Sequence, residues 1–462
     1  MVRWKISLLF FCWVVLEVGG AARAAPVQPS RPLHSSSRDF RKLTKRYARA
    51  AAKPLQHFEP LRDGQKAFAR RLRLIDNAQQ SLVGTLYGID LDRYGFTFLD
   101  RLIVAAERGV QVVVSVDRVA QTFLSRRVGK KKRREFGRKV ARLEKAGGFV
   151  AWNGGLQALF KRPGSGQHYK AFVADGKRAL LEGRNVGHEY YERWTDFGAY
   201  FEGPIVADIA AEAWRLLKRA QPYRSHGLRS RKALRERYDG VLAAAEDQAD
   251  GGWDLSGEKL APMKTDGKGQ SKRRDVAFFA WDPVGDERTF FPRGDNRVTD
   301  ALTSLVNKAR REIVISSNFV HPASRLRNAL IAAARRNVKV KLITTGEQAA
   351  EISVLPYLVA SAHYGELVAA GCEIYETKRM DHAKLYSFDG AIAGYGSYNA
   401  SKMSDSFLAD GLILSTHADV IKAVGLAQAE TIKERSTLFD PLLVNDGLMR
   451  QAAKWLFRRL IP

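Results

Sequence analysis

Two stretches of the chain carry the same five polar residues at the same spacing. His168 is followed by Lys170, Asp175, Asn185 and Asp196, and His382 is followed by Lys384, Asp389, Asn399 and Asp410. Every counterpart lies 214 residues further on, so each copy has Lys at +2, Asp at +7, Asn at +17 and a second Asp at +28. Four followers matching at random has odds of ~(1/20)⁴ per placement if residue usage is roughly even. Taken alone, residues 381–399 read as a polar hairpin turning at Asp389-Gly390. The repeat makes that reading insufficient.

Residues two apart on a strand share a face, so each copy sets an imidazole beside an ammonium. Two imidazoles suit a two-step displacement. One attacks, the other protonates the leaving group, and the roles reverse when water or an alcohol arrives. Two lysines and two asparagine amides supply charge and donors for an oxyanion-rich group such as a phosphoryl. No acidic cluster that would hold Mg²⁺ is evident, so the cationic side chains take the metal's part, and neither a metal nor another cofactor is implied.

Parity divides the acids. Asp175 and Asp389 sit an odd step from their histidines, face away on a continuous strand, and read as residues that fix a hairpin. Asp196 and Asp410 are the better candidates for bonding the second imidazole nitrogen and setting its tautomer. His34, His57, His188, His226, His321, His363 and His417 lack the His-x-Lys context and read as surface or core residues. Of these His321, just past a strand end, stands nearest to where a pocket is expected. Trp152, Tyr169 and Trp194 read as packing residues.

The elements around the motifs repeat as well. In the first half a helix over 65–80 leads into a strand over 81–87, then a helix over 97–108 and a strand over 110–115. In the second, a helix over 298–311 leads into a strand over 312–317, then a helix over 325–336 and a strand over 338–343. This alternation predicts an α/β fold of two pseudo-twofold related α/β sandwich halves, with the active site between them. The expected division is a leader over 1–24, a basic linker over 25–60, a first half over 61–220, a connection over 221–290 and a second half over 291–462.

Composition narrows the setting. The chain begins with Arg3 and Lys5, runs apolar from Ile6 to Val18, and offers a small-x-small site at Ala22-Arg23-Ala24. That is the pattern of a secretory signal peptide, and the apolar run falls short of the ~20 residues that span a bilayer. An exported protein, periplasmic or secreted and peripheral on a membrane surface, is expected. The formal charge is +27, and removal of residues 1–24 takes away three positive and one negative charge to leave +25. Such a surplus predicts partners that are polyanions: an anionic phospholipid surface, or nucleic acid. The densest basic run is residues 126–134. Cys372 is the one cysteine beyond the leader, which excludes an internal disulfide and a cysteine zinc site.

His382, Lys384, Asp389, Gly396, Ser397 and Asn399 spell out HxK(x)4D(x)6GSxN, and the chain is thereby identified as similar to the phospholipase D superfamily. The first copy departs from the signature, with Glu182-Gly183-Arg184-Asn185 in place of Gly-Ser-x-Asn. Residues 182–190, 194–204, 338–344 and 369–375 most resemble the bacterial cardiolipin synthase branch. The resemblance implies His168, Lys170, Asp175, His382, Lys384 and Asp389 as the catalytic set, and Asn185, Ser397 and Asn399 as phosphate ligands. It further implies metal-independent phosphodiester transfer on glycerophospholipids through a phosphohistidine, with His168 as nucleophile and His382 as acid, in a phosphatidyltransferase or phospholipase D. An exported nuclease of the same superfamily is the alternative.

Overall fold

The computed structural model describes residues 37–153, 165–222, 231–250, 273–284, 286, 296–351, 353–441, 451–452 and 454–455. The expected leader over 1–24 lies outside these residues. Helix α1 (Ser37–Tyr47) precedes β1 (His57–Leu61), α2 (Gly64–Asp76), β2 (Ser81–Leu86), α3 (Arg93–Glu107) and β3 (Gln111–Asp117). Next come α4 (Arg118–Arg126), α5 (Lys130–Lys145), β4 (Phe149–Asn153), β5 (Gly166–Gln167), β6 (Ala171–Ala174), β7 (Arg178–Glu182) and β8 (Gly198–Glu202). Helix α6 (Ile205–Arg219), β9 (Gln221–Pro222) and α7 (Arg231–Asp250) complete this part.

The second half repeats the scheme with β10 (Val276–Trp281), α8 (Arg297–Lys308), β11 (Glu312–Ser316), α9 (Ser324–Arg335), β12 (Lys339–Thr345), α10 (Val354–Ser361) and α11 (Tyr364–Ala369). Then follow β13 (Glu373–Thr377), β14 (Leu385–Phe388), β15 (Ile392–Gly396), α12 (Lys402–Ser406), β16 (Leu408–Ser415), α13 (Ala418–Glu430) and β17 (Ser436–Leu438).

Local chemistry accounts for the helix starts. Asp63, Asp92, Asp117 and Asn296 accept backbone N–H bonds in the first turns of α2, α3, α4 and α8, satisfying donors that have no partner within the helix. Helix α2 buries Ala67, Phe68, Arg71, Leu74 and Ile75, a stripe at helical spacing. Strand β2 is buried along its whole length, as a central strand covered on both faces must be.

The two sheets have one topology. The first runs β1-β8-β7-β6-β2-β3-β4-β9 and the second β10-β16-β15-β14-β11-β12-β13-β17, element for element. One core lies between the sheets and draws on both halves, with Tyr169, Phe197, Phe278, Tyr395 and the inner faces of α6 and α13. Separate cores fill the outer face of each sheet.

Two stretches read from sequence as connections carry structure. Within 25–60, α1 places Phe40 and Leu43 in the outer core of the second sheet, and β1 forms the edge of the first. Within 221–290, α7 buries Leu234, Tyr238 and Leu242 in the shared core, and β10 pairs with β16. In α1 and α7 a few well-spaced apolar residues are diluted by neighbouring charge, which hides the period from a composition reading, whereas β10 is a continuous apolar run that the 221–290 division passes over.

The halves also exchange backbone. Strand β5 of the first half pairs parallel with β16 of the second, Gly166 opposite Leu408 and Gln167 opposite Ala409. In the symmetric position Thr195 bridges Asp381. Gly411 in β16 lies at a close approach of the halves, since a Cβ there would sit 2.6 Å from Tyr169 Cε2 of the first half and 2.7 Å from the Phe278 ring of its own. Tyr169 cannot swing aside, because it is fully buried and its hydroxyl donates to the Ile209 carbonyl. Gly411→Ala is therefore expected to cost about 1–3 kcal/mol as overpacking, read as a lower midpoint in chemical denaturation.

Candidate active site

Each histidine is held by the carboxylate of the other half. His168 Nδ1 lies 2.9 Å from Asp410 Oδ1, and His382 Nδ1 lies 2.7 Å from Asp196 Oδ2. The exchanged backbone produces this crossing. His168 N donates to the Ala409 carbonyl beside Asp410, and His382 N donates to the Thr195 carbonyl beside Asp196. The two imidazoles, both carboxylates and both motif lysines are all buried. Sequence spacing marked the right acids but carried no sign that each serves the opposite histidine.

The strand ends before the histidines are pinned in matching ways. Gln167 N donates to Asp117 Oδ2 at the end of β3, and Gln167 Nε2 donates to the Leu86 and Ser115 carbonyls. In the other half Asp381 N donates to Thr345 Oγ1 at the end of β12, and Thr345 Oγ1 donates to the Asp381 carbonyl. Asp117, Gln167, Thr345 and Asp381 were not singled out from the sequence. The residue before each histidine and the end of each central strand were the available signals.

The electrostatics favour neutral imidazoles. Burial, reinforced by Lys170, pushes His168 down to about 4, although Asp410 pulls the other way. Burial and Lys384 push His382 down to about 3 against the pull of Asp196. Burial lowers Lys384 to about 8, and burial with the nearby Lys384 charge takes Lys170 well below the usual lysine range. Burial opposes ionisation of Asp196, but the neighbouring His382 and Lys384 hold its carboxyl below the ordinary value.

An ionised Asp196 can only accept a hydrogen bond, so we assign the Nδ1–H tautomer to His382. Lys384 Nζ also stands 3.0 Å from this Nδ1, but a nitrogen that donates to Asp196 cannot accept from the ammonium as well. Lys384 donates instead to the His382 carbonyl, as Lys170 does to the His168 carbonyl at 2.7 Å. Nε2 is then the lone-pair nitrogen, as a nucleophile or base requires.

The +7 acids stand apart, which corrects their place in a catalytic set. Asp175 occupies a left-handed turn (φ 54°) and accepts from the backbone N–H groups of Gln79, Gln80 and Ser81. Asp389, also at φ 54°, does the same for Arg310, Arg311 and Glu312. Each ties its hairpin to the entrance of the neighbouring central strand.

Ser397 is likewise corrected from phosphate ligand to support. Its Oγ donates to Asp410 Oδ1 at 2.7 Å and accepts from Gly411 N at 3.1 Å. Asn185 Oδ1 accepts from Tyr87 N while Nδ2 donates to the Tyr190 hydroxyl, and Asn399 Oδ1 accepts from Ser317 Oγ.

The departure Glu182-Gly183 has a packing cause. Gly183 is the counterpart of Ser397, and a Cβ there would lie 2.1 Å from Asp196 Oδ1. Glu182 turns into its own half, buried against Arg71 and 3.7 Å from Arg184. Arg184 donates to the Leu61, Arg62 and Asp196 carbonyls. In this half the carboxylate segment is thus braced through its backbone by a buried guanidinium, where the other half uses a serine hydroxyl.

Aromatic rings flank the imidazoles. Tyr87 meets His168 edge-on at 5.2 Å and lies under Lys170 Nζ. Tyr190 meets His382 at 5.2 Å and Trp194 lies 5.9 Å from the same ring, so Trp194 belongs to the site rather than to the core. Tyr87 and Tyr190 were missed from sequence, although Tyr87 ends the predicted strand over 81–87. Tyr169 and Trp152 contribute to packing. The His321 ring stacks on His363 at 5.1 Å. Spacing also concealed a group of three carboxylates, Asp90, Asp92 and Glu189. Asp92 in that group already caps α3 and accepts from His188 N.

Two duplicated α/β halves that share one buried site of paired histidines define a two-domain fold with a composite centre. The family description "Cardiolipin synthase, PLD-like domain" matches residues 302–424. Cardiolipin synthase B of Salmonella typhimurium is 26% identical over 359 residues, covering 74% of this chain and 72% of that protein. Cardiolipin synthase B of Escherichia coli is 26% identical over 379 residues, covering 78% and 75%. The crystal structure of phosphatidylserine synthase from Haemophilus influenzae superposes with a TM-score of 0.64 at 14% identity, covering 90% of this chain and 96% of that one, and shares the fold. The chain is an enzyme similar over most of its length to the bacterial cardiolipin synthases, with their PLD-like domain matched over residues 302–424.

Two outcomes check this site. Because burial lowers both imidazoles, they are expected to stay neutral Nδ1–H tautomers as pH falls through 6.5 and to protonate only near 4 and 3. Ring ¹⁵N shifts on the folded enzyme would show this, and a midpoint near 6.5 for either would contradict it. Asp389→Ala is expected to destabilise the fold by about 3 kcal/mol, from charge-assisted bonds lost and alanine strained at positive φ. Asp389→Asn should lose less than half as much, and both variants should keep their activity per folded molecule.

Proposed function

We propose that the enzyme transfers phosphatidyl groups between glycerophospholipids without a metal, as a cardiolipin synthase-like phosphatidyltransferase. The observation that carries this reading is the pair of crossed histidine–carboxylate contacts, which presents two lone-pair nitrogens beside two buried ammonium groups. The names of the related proteins support a lipid substrate over nucleic acid.

In the proposed reaction His168 Nε2 attacks phosphorus, forming a P–N bond as the bond to the departing glycerol oxygen breaks. That oxygen takes the proton of His382. In the second step His382 removes a proton from the incoming hydroxyl of an acceptor lipid, whose oxygen displaces His168 and restores it. Lys170 and Lys384 balance the charge that gathers on the phosphoryl oxygens. A phosphodiester monoanion bound between these groups raises the affinity of His382 for a proton, so the acid form arrives with the substrate. The leader-like pattern over 1–24 supports an exported enzyme working at a membrane surface, and among the described residues no helix is long and apolar enough to cross a bilayer.

The test uses phosphatidylglycerol liposomes in EDTA, with plasmid DNA in a parallel reaction. Wild type should form cardiolipin, and His168→Ala and His382→Ala should lose at least ~10³-fold. The crossing sets the pattern for the acids. Asp410→Asn should slow formation of the acid-labile phosphoenzyme as His168→Ala does, and Asp196→Asn should follow His382→Ala, each by about 10²–10⁴-fold. Phosphatidic acid as sole product would make the enzyme a hydrolase, and DNA cleavage with inert lipid would make it a nuclease.

A further inference from the structure

The site lies under a surface with an unusual combination of groups. Between residues 118 and 138 the chain has nine Lys or Arg and one acid, Glu135. The side chains of Arg126, Arg127 and the basic run 130–134 are exposed. Among the described residues none of the basic side chains at 130–134 forms an ion pair, whereas Lys139 and Arg142 further along α5 pair with Asp100 and Glu107. In the midst of this uncompensated charge, α4 exposes two large apolar side chains, Val119 (56%) and Phe123 (40%). They are four residues apart and so lie together on one outer face.

The inner face of α4 is fastened to the catalytic centre. Asp117 caps the helix through Ala120 N with one carboxylate oxygen and with the other holds Gln167 N, next to His168. Gln121 brackets the backbone N–H and carbonyl of Ile89. Leu124 packs against Gly88, adjoining Tyr87, where a Cβ would come within 2.5 Å of Leu124 Cδ1. Whatever covers the outer face of α4 therefore lies beside the His168 side of the site.

We propose that α4 and the start of α5 form the face by which this enzyme docks on an anionic phospholipid bilayer, with Val119 and Phe123 entering the interface among the lipid phosphates. The proposal rests on the lipid reading above and adds the orientation. Charge alone would suit a nucleic acid equally, but two apolar side chains held outward inside a basic ring match an interface that is anionic outside and apolar beneath. A bilayer on this face delivers its lipids next to His168.

Co-sedimentation with phosphatidylcholine vesicles, with and without phosphatidylglycerol, tests this on the full chain. Wild type should prefer the anionic vesicles and lose them at high salt. Each basic residue near an anionic leaflet contributes about fivefold in partitioning, so Lys131→Ser/Lys132→Ser/Arg133→Ser/Arg134→Ser should reduce binding by at least ~10-fold. Val119→Ser/Phe123→Ser should reduce it about tenfold by removing apolar contact. Both variants should turn over a monomeric short-chain phosphatidylglycerol as wild type does, which shows that the fold and centre are intact.

Vesicle binding unchanged in both variants would overturn the proposal. So would full vesicle binding by Val119→Ser/Phe123→Ser together with loss of duplex DNA binding in the basic variant, which would assign the face to nucleic acid. The monomeric-lipid assay separates the two readings. Its failure in wild type would remove the functional reading, while vesicle binding would still decide the docking face.

Discussion

The structure depends on a hydrogen bond that neither half can make alone. A histidine in a buried site needs a partner on Nδ1 to fix its tautomer, and in this chain that partner always belongs to the other half. The parallel bridges at β5–β16 and Thr195–Asp381 bring the carboxylates to that position. The shared apolar core between the sheets supplies the packing that holds those bridges in register. Burial that stabilises the interface also strips water from the site, which lowers both imidazoles and both lysines together. The same contact thus links folding to the electrostatics of the site.

Much of this was legible in the sequence because it follows from short-range rules. Helical period and apolar strand runs marked the elements flanking each motif, and a constant spacing across two copies identified the histidines, lysines and carboxylates. Parity set Asp389 aside, since a strand places odd and even steps on opposite faces, and the matched +28 spacing marked Asp410. What the sequence did not disclose depends on the meeting of distant segments. Nothing in a single copy says that Asp196 serves His382, that Ser397 is occupied by Asp410, or that Trp194 leaves the core to flank an imidazole. Helices α1 and α7 were hidden for a simpler reason, since their apolar residues are few and surrounded by charge.

The duplication is close in topology and loose in chemistry. Both carboxylates are steadied, one by a hydroxyl in contact with its oxygen and the other through its backbone by Arg184, which is itself buried beside Glu182. A buried ionic cluster of this kind is costly to desolvate, and here the Arg184 guanidinium is held by three backbone carbonyls. The two imidazoles therefore stand in differently built surroundings, a serine-supported one against Tyr87 and an arginine-braced one between Tyr190 and Trp194. Two chemically identical imidazoles acquire distinct environments through the Glu182-Gly183 for Gly396-Ser397 exchange, with the His, Lys, Asn and Asp of the motif unchanged.

The crossing also has a meaning in time. A chain is made from its N-terminus, so His168 and Lys170 exist long before Asp410, the last of the ten motif residues to be added. Until then His168 has neither its carboxylate nor the strand that positions it. An incomplete chain, or one broken within the second half, carries His168 in a form that lacks its tautomer lock. The site is in this way incomplete until the final strands are in place.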